Sequence, residues 1–261
     1  MNQRNDPFFI AGCARSGTTL LRRVLVRHPR LECPQETHFF RWPDPLGSPR
    51  FLAAVDTRLL RKHRELDGIS DAEFRQVLSA ATSRRELAEG YARLYLGKRG
   101  NPEGRWFDKT PQHVYGLLLL RAAFPESPIV HLHRHPLNVV ASLLEGRVMP
   151  PQSFVSAVNH WVESMQILGE FRHAWAEHLI EVSYEALTSH PRRTAGTLLD
   201  RLGEDPDRLD LGPRLVHPER NRYREVLSPA QVERVLESCG PWLARYGYDR
   251  PVGVAGVSGN A

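Results

Sequence analysis

Two segments of this chain carry residues whose types and spacing suit chemistry on an anion. The first, Gly12-Cys13-Ala14-Arg15-Ser16-Gly17-Thr18-Thr19, follows the apolar run Phe8-Phe9-Ile10-Ala11 and opens a helical pattern. Its spacing is that of a phosphate loop, G-x-x-x-x-G-K-S/T, with Thr18 in place of the lysine. Glycines let such a loop wrap tightly, and amides at a helix N-terminus point at the anion, so the cradle survives the change. The lost lysine is the group that reaches the outer phosphates of a nucleoside triphosphate; Arg15 supplies a positive side chain instead. Cys13 reads as a small filler residue. In the second segment, Arg134-His135-Pro136 closes another apolar run, and Ser142 follows Arg134 by eight residues. An arginine at the C-terminal end of a parallel strand lies on the edge where α/β folds bind ligands, and Ser142 can add a hydroxyl to the same anion.

A kinase or ATPase also needs a carboxylate at a strand end to organise magnesium. The run 128–133 ends in His133-Arg134 and the run 178–183 in Ser183-Tyr184, and Asp108 after Trp106-Phe107 is a weak substitute. A loop without its lysine or a clear metal carboxylate points away from triphosphate chemistry, and no metal is expected.

These segments need elements to hold them. The pattern alternates strand (8–11, 128–133, 178–183) with helix (18–28, 111–123, 137–146, 152–176, 191–202). Ser228-Pro229 is an N-cap and first-turn pair opening a last helix. Strands separated by helices predict a P-loop-like α/β fold: a three-layer sandwich around a mainly parallel sheet. Residues 44–104 are Arg-rich, helical in pattern and without a convincing strand. They read as a helical insertion on the acceptor side of a single domain spanning 1–250, followed by a flexible tail, 251–261.

Composition fits that fold. Of 261 residues, 41% are hydrophobic and 25% charged, which excludes a disordered or collagen-like chain and a disulfide-stapled miniprotein. No run approaches the ~20 apolar residues of a membrane span, and the polar start lacks a signal-peptide pattern. Cys13, Cys33 and Cys239 are odd in number and lack metal-ligand spacing, so a reducing, cytoplasmic location is expected. The net charge is +5, and only three of the 35 basic residues are lysines: Lys62, Lys98 and Lys109. The basic residues are scattered, which suits a small polyanionic ligand better than a nucleic acid.

Taken together, the motifs resemble those of the PAPS-dependent sulfotransferases, which use 3′-phosphoadenosine-5′-phosphosulfate (PAPS) and release 3′-phosphoadenosine-5′-phosphate (PAP). Arg15, Ser16, Gly17, Thr18 and Thr19 resemble their 5′-phosphosulfate loop, and Arg134 with Ser142 their 3′-phosphate site. Gln35-Glu36-Thr37-His38-Phe39-Phe40 is similar to the E-x-H-F-F segment of carbohydrate sulfotransferases and the E-T-R segment of tyrosylprotein enzymes, whose glutamate is the proposed general base. Asp108-Lys109-Thr110-Pro111 resembles the D-K-T-P segment, whose lysine contacts the transferring group. Val182-Ser183-Tyr184-Glu185 resembles the strand end whose tyrosine lies near the adenine. Arg220-Asn221-Arg222-Tyr223-Arg224 resembles the basic segment that closes over the cofactor, with Arg222 the candidate contact, although it departs from the family's glycine-rich pattern.

The resemblance implies O-sulfuryl transfer with Glu36, Lys109 and Arg15 as catalytic residues. Charge builds on the bridging oxygen of the leaving phosphate, where cations such as Arg15 and Lys109 stabilise it. The acceptor hydroxyl must lose a proton, for which Glu36 is the candidate base, with His113, His131 and His133 as rivals. The acceptor is expected to be a small molecule: a natural product, lipid or sugar. A P-loop kinase-like phosphotransferase and a non-catalytic nucleotide-binding protein are the alternatives, and fold alone does not separate them.

Overall fold

The computed structural model describes residues 6–147, 150–212 and 215–248; the expected tail, 251–261, lies outside the described residues. Strand β1 (Phe8–Ala11) leads into helix α1 (Thr18–Leu25) and the two-residue strand β2 (Leu31–Glu32). Four helices follow: α2 (Pro49–Val55), α3 (Arg58–Leu66), α4 (Asp71–Ala80) and α5 (Arg84–Arg99). Each begins where the sequence supplies an N-cap: Ser48, Thr57, Ser70 and Ser83 accept from backbone N–H groups in the first turn, and Ser70 with Glu73 completes a capping box. The segment 44–104 is thus helical, as its pattern predicts.

Strand β3 (Arg105–Lys109) comes next, then a 3-10 turn (Pro111–Gly116) and α6 (Leu117–Ala123). The helix expected over 111–123 starts as this tighter turn. A Cβ on Gly116 would stand 1.5 Å from the Phe40 carbonyl oxygen, so only glycine admits the crossing chain. Strand β4 (Ile129–His133), α7 (Pro136–Glu145), α8 (Phe154–Trp175), strand β5 (Leu179–Ser183), α9 (Tyr184–Ser189), α10 (Pro191–Leu202), α11 (Tyr223–Val226) and α12 (Pro229–Tyr246) complete the chain. Pro136 and Pro229 sit in the first turns of their helices, and Ser228 caps α12.

Among the described residues the sheet has five strands in the order β2-β3-β1-β4-β5, all parallel. Alternate residues of the central β1 supply two cores. Phe8 and Ile10 join Leu21, Val24 and Leu25 of α1 and Leu198, Leu199 and Leu202 of α10. Phe9 and Ala11 join Val139, Val140 and Leu143 of α7 and Trp161, Met165 and Leu168 of α8. This is the expected three-layer α/β sandwich. Because β1 pairs with β3 on one side and β4 on the other, the chain reverses its direction of winding there, and a crevice opens outside the carboxyl ends of the strands.

The strand the sequence hides is β3. Arg105 and Asp108 are 1% and 2% exposed, so a charged-looking segment is interior. Arg105 donates from NH1 to Glu204 at 3.1 Å and to the Leu202 carbonyl at 2.6 Å, and from Nε to the Asp6 carbonyl at 2.6 Å.

Candidate active site

Every motif of the sequence reaches the carboxyl edge of the sheet: the loop 12–19 follows β1, Lys109 ends β3, Arg134 follows β4 and Tyr184 follows β5. The loop is built as an anion cradle. Gly17, at φ +96°, is the N-cap of α1, and no side chain caps that helix, so its first N–H groups face out of the loop. Ser16 Oγ is buried and finds no hydrogen-bond partner among the described residues. A Cβ on Gly17 would stand 2.2 Å from the Tyr184 ring, so the ring packs directly against the loop.

The second motif closes on the first. Arg15 Nε donates to Ser142 Oγ at 3.0 Å, and Arg134 donates from NH1 to the Arg15 carbonyl at 3.2 Å. The Arg134 guanidinium lies 4.2 Å from the centroid of the Tyr184 ring. Burial and the nearby charge of Arg134 both lower the pKa of Arg15. Two cations held this close, beside an uncapped helix start, make a site that an anion relieves. Arg222 sits at the rim, paired with Glu145 at the end of α7.

Glu36 lies across the loop. One carboxylate oxygen pairs with Lys109 Nζ, which also reaches Thr19 Oγ1 at 3.4 Å; the other lies 3.5 Å from His38 Nε2. Burial works to raise the Glu36 carboxyl, but the His38 hydrogen bond and the Lys109 charge overcome it and bring it down to about 2. The backbone here is held from behind by the helical insertion. His63 of α3 donates to the Glu36 carbonyl at 3.0 Å, Asp67 accepts the Gln35 N–H at 3.0 Å, and Arg84 of α5 donates to the carbonyls of Phe39 and Trp42. His38 adopts φ +59° and stacks on Trp42.

Asp108 serves the same segment. Its oxygens accept from the hydroxyls of Thr37 and, at 2.7 Å, Thr110, and burial pushes its carboxyl up to about 6 against those two bonds. It therefore ties the Glu36 segment to the end of β3. No group of three His, Cys, Asp or Glu residues suited to a metal occurs among the described residues.

The rival bases lie in the interior. His113 accepts the Phe40 N–H at 3.4 Å, His131 meets Glu181 at 3.3 Å and His133 meets the Tyr248 hydroxyl at 2.7 Å. Burial lowers all three, His133 to about 3. Sequence reasoning missed His38 beside Glu36, although it lies within the quoted segment, and it missed Glu219 on Arg134, for which no local signal exists.

The residues present fit an adenine nucleotide with anions at both ends. The uncapped turn and unpartnered Ser16 suit a 5′-anion, the Arg134–Ser142 side a 3′-phosphate, and the Tyr184 ring a base. Comparison with known proteins identifies the family. The profile of the Sulfotransferase family matches residues 7–208. Protein-tyrosine sulfotransferase 1 of Danio rerio is 27% identical over 272 residues, covering 92% of this chain and 72% of the relative. Among solved structures, the sulfotransferase domain of the Synechococcus PCC 7002 olefin synthase superposes with a TM-score of 0.67 at 25% identity, covering 96% of this chain and 98% of that one. A mouse sulfotransferase complexed with PAP shares the fold, with a TM-score of 0.51 at 12% identity over 95% of this chain and 90% of that one.

Proposed function

This chain belongs to the sulfotransferase family, as an enzyme of PAPS-dependent sulfate transfer, and from that premise we propose its acceptor, its base and its cofactor contacts. The acceptor is the hydroxyl of a small molecule, a natural product, lipid or sugar, and the base is Glu36. The observation that carries the choice of base is the unbroken line Glu36–Lys109–Thr19, which sets a carboxylate beside a cation that reaches the phosphate loop from the end of β3.

Arg15, Ser16, Gly17, Thr18 and Thr19 hold the 5′ end of the nucleotide, Arg134 and Ser142 the 3′-phosphate, Tyr184 the base, and Arg222 closes the rim. When bound, PAPS supplies the activated sulfuryl group. Lys109 and Arg15 stabilise the charge that gathers on the leaving side. Glu36 accepts the proton of the acceptor hydroxyl. At about 2 its carboxyl is fully ionised and weakly basic; any anion that draws Lys109 away raises its basicity, so the base strengthens once the loop is filled. His38 Nε2 lies 3.5 Å from the second carboxylate oxygen.

A cytoplasmic site of action is part of the same proposal, supported by three free, buried cysteines whose thiols burial pushes up to about 12. No described helix is long and apolar enough to cross a membrane. A tyrosyl hydroxyl of a protein is the second reading, favoured by the Danio rerio relative. Transfer from labelled PAPS to a panel of phenols, sterols, sugars and tyrosine peptides tests the choice. Turnover on small hydroxyls is expected, and transfer to tyrosine peptides alone would overturn it.

A further inference from the structure

The cofactor contacts leave one carboxylate unexplained. Glu219 Oε2 accepts from both Nε (2.8 Å) and NH2 of Arg134. Its other oxygen accepts the backbone N–H groups of Arg220 at 2.8 Å and Asn221 at 3.1 Å. The pair is nearly dry, with side chains 14% and 11% exposed. The segment that carries Glu219 does not depend on this pair for its position. Asn138 of α7 donates to Asn221 Oδ1 at 3.1 Å, and Arg222 pairs with Glu145, also of α7. Glu219 can therefore leave Arg134 while its backbone stays docked.

Arg134 is fixed on its remaining sides by the Arg15 carbonyl and the Tyr184 ring. The edge given to Glu219 is the forked one, with Nε–H and an NH2 hydrogen side by side, which is the edge that reads a carboxylate or a phosphate. We propose that Glu219 is an internal competitor for the Arg134 fork, a residue that sets how tightly, and for how long, a 3′-phosphorylated nucleotide is held. The inference rests on the reading of Arg134 as the 3′-phosphate residue.

Two anions cannot share one guanidinium edge in so dry a place without strong repulsion. A 3′-phosphate therefore takes the fork by exchange with the carboxylate, and its affinity is the difference between two charge-assisted pairs. A nucleotide without that phosphate leaves the pair closed and binds through the loop and the Tyr184 ring. Glu219 also returns to Arg134 as the spent nucleotide departs, so the cation is never left buried and unpaired. The competitor costs affinity and favours release, a step that limits turnover in many enzymes.

The test is calorimetric titration of PAP and of adenosine 5′-phosphate, with stopped-flow release of PAP, on wild type, Glu219→Gln and Arg134→Ala, each checked by thermal melt. Glu219→Gln should bind PAP roughly tenfold more tightly and release it correspondingly more slowly, with adenosine 5′-phosphate unchanged. PAP binding that is equal or weaker in folded Glu219→Gln, or a gain shared equally by both nucleotides, would overturn the inference. Arg134→Ala should lose PAP affinity far more than adenosine 5′-phosphate affinity. Equal losses there would overturn the reading of Arg134 itself, and the role of Glu219 with it.

Discussion

Replacing Glu36 with glutamine keeps the size of the side chain and its capacity to accept from Lys109, and removes only the charge and the basicity. The structure gives two separable magnitudes. The distance between the ordinary carboxyl value of 4.5 and about 2 corresponds to about 3 kcal/mol of preference for the charged form. The Glu36 side chain is 23% exposed, so solvent screens part of this, leaving about 1–2 kcal/mol of stability to lose. In a chain of this size that lowers Tm by about 2–8 °C, which leaves the variant folded at the assay temperature. Turnover should fall by ~10²-fold or more, the range of a lost general base. Nucleotide affinity should hold or rise slightly, because Lys109 loses its internal partner. Single-turnover transfer from saturating PAPS, a PAP titration and a melt measure the three quantities on one preparation. Turnover within about tenfold of wild type in the folded variant would refute Glu36 as the base.

Other expectations follow from neighbouring features. Gly17→Ala forces a Cβ into the Tyr184 ring at φ +96°, and should weaken PAP binding at least about tenfold in titration, with a melt lowered by the roughly 1–3 kcal/mol that such strain costs. Acid stability should report the Glu36–Lys109 pair. Because the folded value is depressed, the pair's contribution is complete above pH 4.5 and is lost as pH falls toward about 2; Glu36→Gln should lack this slope in acid melts. Asp108→Ala leaves the Thr37 and Thr110 hydroxyls without their acceptor in a buried place, so it should cost about 2–4 kcal/mol in denaturant unfolding and reduce turnover by loosening the Glu36 segment. Chelators should leave activity intact, and a strict requirement for added magnesium in the assay would contradict the site as described.

What the sequence made legible depended on whether its signals were local. Phe8–Ala11 with its glycine loop, and the mainly apolar runs that became β4 and β5, announce themselves because buried parallel strands are rich in apolar, β-branched residues and end in turn residues. β3 does not, because Arg105, Asp108 and Lys109 are buried in pairs with partners distant in sequence: Glu204, Thr37 and Glu36. The motif residues were readable one at a time. Their pairing was not, since Arg15 with Ser142 and Arg134 with Glu219 are contacts across 127 and 85 residues. The role of the insertion was also hidden: its helices brace the Glu36 segment through side chains at 63, 67 and 84 that carry no pattern of their own.

The placement of β1 at the centre of the sheet has a consequence for how the chain comes into being. β1 and its loop are made early, yet both strands that flank β1, at 105–109 and 129–133, are made about a hundred residues later. At ribosomal speeds of ~5–20 residues per second, residue 11 waits roughly 6–24 s before residue 133 exists. During that interval Phe8, Phe9 and Ile10 form an unpaired apolar segment, the kind that chaperones hold and that aggregates when they do not. The nucleotide site, which draws on the ends of four strands, is complete only once the last of them has been made. Heterologous expression should therefore be limited less by the stability of the finished fold than by how well that early segment is sheltered.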